Sequence, residues 1–292
     1  MRKPSDMFDR DREWSALVRF AADEQPGATL GVVSGRRRQG KSFLLEALCQ
    51  EMGGFYFSSQ EATDTESLAL IGEALTRHLD PVIPFTPSNW SMVLDVLLRM
   101  GRDRPVPVVI DEFPYLARAN PALPSIIQGA YAPRRAERTS SRTRLLLCGS
   151  AMSFMGGLLS GNAPLRGRAS LDLSVDTLDY RLAARFWELS DPRLALLLHS
   201  VVGGTPAYRT EMIRYDAPRD LDDFDAWVVR AILSPGSPMF LEARYLLAEE
   251  PALRDGALFS TTRFSAPSPR ATAGVAGSPD TWVARATNCL TR

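Results

Sequence analysis

Histidine and cysteine are scarce in this chain. His78 and His199 stand alone in segments of helical spacing, and Cys49, Cys148 and Cys289 show neither CxxC nor metal-ligand spacing. These residues argue against a zinc site, and the odd cysteine count argues against a disulfide framework. Cys49 and Cys148 lie in apolar runs, where a free cysteine serves as a small buried hydrophobe. An excess of charge of one sign is missing too. Lys+Arg and Asp+Glu both number 34 in 292 residues, so no global basic field points to nucleic acid. No apolar run approaches the roughly 18 residues of a membrane span. "MRKPSDMFDRDREW" lacks the apolar segment of a signal peptide. No repeat of fixed period occurs. What remains is ordinary globular composition, long enough for one large domain or two smaller ones, and it is read as soluble and cytoplasmic.

Against that background the apolar patterning is informative. "TLGVVSG" (29–35), "GFYFSS" (54–59), "PVPVVIDEF" (105–113) and "LLLCGS" (145–150) read as buried strands, with "RASLDLSV" (168–175) a possible fifth. Helical spacing fills 41–52, 64–79, 88–101 and 121–132 between them. Strands alternating with helices predict an α/β fold, a parallel sheet sandwiched by helices, with right-handed crossovers gathering the strand C-termini on one ligand-binding edge. From about residue 178 the units become helical throughout.

Chemistry concentrates at "GVVSGRRRQGKSFLLEAL" (31–48). Gly35, Gly40, Lys41 and Ser42 satisfy Gly-x-x-x-x-Gly-Lys-[Ser/Thr] between a strand and a helix, the context a P-loop requires. The glycines let successive backbone N–H groups surround phosphates, and the helix N-terminus favours anions. Lys41 then reaches the β/γ-phosphates, and the Ser42 hydroxyl binds Mg²⁺. Arg36, Arg37, Arg38 and Gln39 fill the variable positions; the arginines add positive charge near a triphosphate, or face solvent or a partner.

The P-loop calls for an acid at the end of another buried strand. "PVVIDE" provides Asp111 to hold Mg²⁺ and Glu112 to orient or deprotonate water. Ser150, ending "LLLCGS", either senses the γ-phosphate or is an ordinary turn serine. Arg166 and Arg168 lie in the loop "APLRGRASL". Arg168 is the favoured finger, in cis or from a neighbouring subunit, with a solvated arginine as the alternative. "RRAERTSSRTR" (134–144) is the one local basic patch; it reads as a solvated loop, since no aromatics interleave for base stacking. Without an Asn-Lys-x-Asp guanine reader, adenine is the default base.

Taken in order, "FDRDREWSAL", "SGRRRQGKSFLLEAL", "VVIDEFPYL", "LLLCGSAMSFM", "PLRGR" and "GGTPAYR" resemble the archaeal-type ATPases of the STAND/AAA+ branch of P-loop NTPases, over roughly residues 8–250. The resemblance implies a sheet with the Glu112 strand inserted between neighbours, followed by an all-helical lid. It implies a role near adenine for Asp9 and Arg10, and near the nucleotide for the lid residues Gly204 and Pro206. From the residues alone, these are only a helix-start turn and, for Gly204, a helix C-cap. It further implies ATP and Mg²⁺ as ligands, with ATP a conformational switch reset by slow hydrolysis.

Members of that group continue into a winged helix and a further nuclease-like domain. Here the helical pattern stops near 257–258, and a Ser/Thr/Ala/Pro/Gly/Arg-rich stretch follows. Its composition predicts disorder. We read it as the product of a frameshift that truncates the chain, which translation of the gene in its other frames would test. The expected organisation is a P-loop ATPase core (1–177), a helical lid (178–257) and a low-complexity tail (258–292). The expected activity is Mg²⁺-dependent ATP hydrolysis. The alternatives are a nucleotide-dependent interaction module that hydrolyses little, and an ATPase associated with nucleic acid through the missing domain. An unidentified protein partner and an oligomer are compatible with each.

Overall fold

The computed structural model describes residues 1–242 and Tyr245, all within one compact unit, Met1–Asp255. The expectations for the 258–292 tail and for a frameshift lie outside the described residues. Among the described residues no helix is long and apolar enough to cross a membrane.

Five strands form the sheet: β1 (Thr29–Ser34), β2 (Phe55–Ser58), β3 (Val106–Asp111), β4 (Thr143–Gly149) and β5 (Ala169–Ser174). Their order is β2-β3-β4-β1-β5 and every pairing is parallel. The side-chain period of two sorts the strand residues onto two faces. Leu145 and Leu147 of β4, with Leu30, Val32, Val108 and Ile110, join one core; Leu146 and Cys148, with Val33 and Val109, join the other. Helices α1 (Asp11–Ala21) and α2 (Lys41–Met52) cover the second face. The first is covered by α3 (Asp64–Leu79), α4 (Trp90–Met100), α5 (Phe113–Ala119) and α6 (Leu123–Ala130). Both faces are therefore buried, which is why these strands read as continuous apolar runs.

The expected strands and long helices are present with small boundary changes. Two features differ. The strand ending in "IDEF" stops at Asp111, and an unexpected helix, α5, begins at Phe113, ahead of α6, which occupies the expected 121–132 stretch. Glu112 adopts a left-handed backbone (φ 50°) and turns the chain directly into that helix, with Pro114 in its first turn. The basic stretch 134–144 is not a solvated loop throughout. It holds a short helix, α7 (Ala136–Thr139), and β4 already begins at Thr143. The Arg144 side chain is fully buried and donates to the carbonyls of Asp23, Gln25 and Gly27. Arg138 donates to the Ala28 carbonyl, Arg142 pairs with Glu24, and Arg135 with Asp95. These arginines tie loops together at the sheet's N-terminal edge. Composition displays charge and hides burial.

β4 leads into a short helix, α8 (Met152–Leu158); after β5, α9 (Tyr180–Phe186), α10 (Pro192–Val202) and shorter helical turns surround a separate small core. Trp227 is fully buried there, edge-on to Trp187 at 6.1 Å, with its indole N–H donating to the Asp216 carbonyl at 2.9 Å. Aspartates cap both helices: Asp179 accepts from Arg181 N, and Asp191 from Arg193 N.

Candidate functional site

The loop between β1 and α2 is built by backbone geometry. Gly35 has φ 152°, and a Cβ there would lie 2.4 Å from the Val175 carbonyl oxygen. Arg38 and Gly40 are left-handed at φ 65° and 87°, which closes the loop onto the start of α2. Lys41 is buried, and its ammonium crosses the loop to donate to the Arg36 carbonyl at 2.9 Å. Positive charge and a helix N-terminus thus share one concavity.

One strand, β4, separates β1 from β3, so the loop and Asp111 start about 10 Å apart by two strand spacings. The first turn of α2 closes that gap. Ser42 Oγ donates to Asp111 Oδ2 at 2.6 Å. Tyr56, from β2 on the other side, donates to the same oxygen at 2.7 Å, and the Glu112 N–H donates to Oδ1 at 2.8 Å. Burial pushes the Asp111 carboxyl up, but hydrogen bonds from Cys148, Ser42, Tyr56 and the Glu112 backbone outweigh it and hold the group below its ordinary value. Burial, together with the Asp111 charge, drives the Cys148 thiol well upward, so it acts as a donor and not as a nucleophile. The Tyr56 hydroxyl is raised by burial and by Asp111 in the same way. An ionised carboxylate and a hydroxyl are the hard oxygen donors that Mg²⁺ takes alongside phosphate and water.

Glu112 is half-buried and faces the end of β4. Ser150 Oγ lies 3.1 and 3.2 Å from its two carboxylate oxygens. Arg37 reaches the same place from the loop: its Nε donates to Ser150 Oγ at 3.4 Å and its Nη2 to the Tyr115 hydroxyl at 2.8 Å. Below, the Ser59 hydroxyl braces the turn against the Asp111 and Glu112 carbonyls.

A cavity of about 740 Å³ opens over the loop. That lies within the range of sites for a small organic ligand. Lys41, Ser42, Arg37, Arg38, Gln39, Gly40 and Glu112 line it from the sheet edge. Phe8 and Arg10 from the N-terminal segment and Phe186, Pro206, Thr210 and Glu211 from the helical region complete the lining. Asp9 and Arg10 are both left-handed, at φ 54° and 66°. That turn sends Arg10 under the loop, where it donates to the Gln39 carbonyl at 3.1 Å and pairs with Glu13. Asp9 is not among the cavity-lining residues; its carbonyl accepts from Lys3.

The helical region also grips the loop. Gln39 donates to Thr205 Oγ1 at 3.0 Å, and Arg38 pairs with the buried Glu242. Gly204 is not merely a helix end. A Cβ there would lie 1.8 Å from the Leu178 carbonyl oxygen, and Leu178 N donates to the Gly204 carbonyl at 2.9 Å.

The structure thus gathers Gly35, the four residues 36–39, Gly40, Lys41, Ser42, Asp111, Glu112 and Ser150 at one sheet edge, with Arg10 and Pro206 across the cavity. It does not bring Arg168 there within one chain. Arg168 precedes β5 at the opposite, N-terminal edge, level with Thr29–Leu30, and does not line the cavity. Sequence reasoning missed Tyr56, Tyr115, Phe8, Phe186, Thr205 and Glu242. Phe8, Tyr115 and Thr205 stood inside the motifs quoted for the resemblance, and Tyr56 inside an expected strand, without a role being read from any of them.

The fold has the P-loop layout: a parallel sheet with β3 inserted between β2 and β4, a glycine-rich loop after β1, and an acid pair after β3. No family model matches the chain. It is 25% identical, over 178 residues, to an uncharacterised protein of Methanocaldococcus jannaschii, covering 61% of this chain and 38% of that protein. Among solved structures it is similar to a Walker-type ATPase of Pyrococcus abyssi, with a TM-score of 0.53, 18% identity, and coverage of 70% of this chain and 66% of that one. A likeness to the ORC2 protein of Aeropyrum pernix has a TM-score of 0.46 and 16% identity over 68% of this chain and 58% of that one. This chain therefore spans less than two thirds of the curated relative and of the P. abyssi ATPase.

Proposed function

We propose that this protein binds ATP with Mg²⁺ and hydrolyses it to ADP and phosphate, using the nucleotide as a conformational switch. The observation that carries the reading is the Ser42–Asp111 hydrogen bond at 2.6 Å, which joins a cavity-lining hydroxyl next to the buried Lys41 to the carboxylate behind it. It joins a P-loop hydroxyl to a strand-end carboxylate, as a shared Mg²⁺–triphosphate site needs. Ser42 and Asp111 would hold the metal, which when bound neutralises charge on the β- and γ-phosphates. Lys41 binds the phosphates from the loop. Glu112 orients water for attack on the γ-phosphorus and accepts its proton as the bridging P–O bond breaks and the electron pair leaves with ADP. Ser150 holds the Glu112 carboxylate. The aromatic wall of Phe8 and Phe186 is suited to the base, with Arg10 beside it bracing the loop through the Gln39 carbonyl.

The switch reading, and with it the STAND-type assignment, rests on the contacts between loop and helical region: Gln39–Thr205 and Arg38–Glu242. A core of 1–177 and a helical region of 178–257 would be the parts that move, in a protein at work in the cytoplasm. Arg168, at the far edge, would serve only a neighbouring subunit. Protein and nucleic-acid partners belong to the same proposal, engaged through chain beyond the helical region.

Phosphate release from Mg-ATP and binding of a fluorescent ATP analogue test it together. Lys41→Ala is expected to weaken binding about 10- to 100-fold, the loss of a charge-assisted hydrogen bond. Glu112→Gln is expected to bind normally and lose about 10²-fold or more in turnover. Equal loss of binding in both variants would sink the division of roles. Tight binding with no turnover in the unaltered protein would favour an interaction module.

A further inference from the structure

A triphosphate at this site needs positive charge at its terminal phosphate beyond Lys41, and Arg168 is at the wrong edge to provide it within the chain. The other arginines near the cavity differ in what they touch. Arg10 is buried against Glu13 and the Gln39 carbonyl, Arg38 is drawn to the buried Glu242, and Arg36 points its side chain into an exposed part of the loop. Arg37 alone of these bridges toward the acid strand, reaching Ser150 at the end of β4 and Tyr115 one turn after Glu112.

The hydrogen-bond directions form a relay. Arg37 donates to Ser150 Oγ, whose one proton is shared between the two Glu112 oxygens. A phosphate oxygen is a stronger acceptor for the guanidinium than either the Ser150 or the Tyr115 hydroxyl. The guanidinium stands one hydroxyl away from Glu112, on the side of the loop that faces the acid strand.

We propose that Arg37 supplies the arginine charge to the terminal phosphate from within the P-loop of the same chain, and that Ser150 couples its position to Glu112. The inference rests on the ATPase reading above and names a residue of that site. As the bond from water to the γ-phosphorus forms and the bond to the bridging oxygen breaks, negative charge grows on the oxygens that Arg37 meets. Ser150 and Tyr115 are positioning residues that keep the guanidinium off the solvent.

The test uses the full chain and four forms of it: unaltered, Arg37→Ala, Arg37→Lys and Glu112→Gln. Arg37→Ala is expected to lower kcat about 10³-fold, with the dissociation constant for ATP within about threefold of the unaltered protein. Arg37→Lys restores charge without the planar fork, so it regains only part of the rate. A mixture of Arg37→Ala with Glu112→Gln stays inactive, because neither chain holds both groups. Recovery of turnover in that mixture would mean the charge crosses between subunits, and the proposal falls. It falls as well if Arg37→Ala leaves kcat unchanged or weakens ATP binding as Lys41→Ala does.

A second measurement does not need turnover. The unaltered protein is expected to bind ADP with aluminium fluoride, a mimic of the transferring phosphate, more tightly than ADP alone, and Arg37→Ala to lose that preference. Retention of the preference overturns the role of Arg37 while leaving the ATPase reading intact. Failure of the unaltered protein to bind any nucleotide overturns both.

Discussion

Asp111 shows how one residue is made suitable for a metal site. A carboxylate with 2% exposure would ordinarily keep its proton, because burial penalises the charge. Four donors on two strands, a helix and a turn reverse that outcome and hold the group below its ordinary value. A carboxyl depressed in the folded protein contributes stability that is complete above its unfolded value and lost as pH falls through the folded one. Tyr56→Phe removes one donor and leaves the burial, so the folded value rises and the loss sets in at higher pH. The acid-unfolding midpoint by circular dichroism is expected to move upward in this variant; an unchanged midpoint would mean that Tyr56 does not stabilise the charge. The motif residues Lys41, Ser42, Asp111 and Glu112 were legible because a phosphate site needs those types at those spacings. Tyr56, Tyr115 and Cys148 were not. Tyr56 and Cys148 work across strands and Tyr115 between α5 and the loop, and in sequence each sits in an apolar or aromatic run that the core alone would explain.

Among elements, the exit from the sheet is the most constrained. The segment after β5 and the turn after α10 pass back to back, with Leu178 and Gly204 in main-chain contact. Gly204→Ala would place a methyl carbon on the Leu178 carbonyl and force the two segments apart. A loss of about 1–3 kcal/mol in urea unfolding is expected from such overpacking. ATP binding should weaken as well, because Thr205 and Pro206 follow directly and move with the turn. Unchanged stability and affinity would show that the contact yields freely. The same scale explains what the sequence made readable. Strands buried on both faces give unbroken apolar runs, and α2 and α3 keep helical spacing over 12 and 16 residues, so their bounds emerged nearly intact. Helix α5 has seven residues and begins immediately after a left-handed Glu112, too short for a period and without a spacer. The start of β4 was hidden because Thr143 and Arg144 are polar, although both are fully buried against main-chain carbonyls.

Across the whole molecule, the phosphate loop is wired to the helical region by charge. Glu242 has a side chain only 4% exposed, paired with Arg38 and hydrogen-bonded by the Tyr208 hydroxyl at 3.1 Å; its Oε2 is buried without a partner among the described residues. Neither the P-loop signature nor helical spacing marks this pair, since its members are 204 positions apart. Removing one partner of such a pair is costly because the other charge stays buried. Arg38→Ala is therefore expected to destabilise the protein by about 3–5 kcal/mol. Glu242→Gln removes the stranded charge, so adding it to Arg38→Ala should recover part of that loss. A double-mutant cycle in urea is expected to show a coupling of about 1 kcal/mol or more; additivity within about 0.5 kcal/mol would mean that the two side chains do not feel each other. Strong coupling would make the loop that receives phosphate the same loop that holds the helical region down. A nucleotide that draws Arg38 toward its phosphates would then weaken the hold on Glu242, and that exchange of partners would convert binding into a change of position.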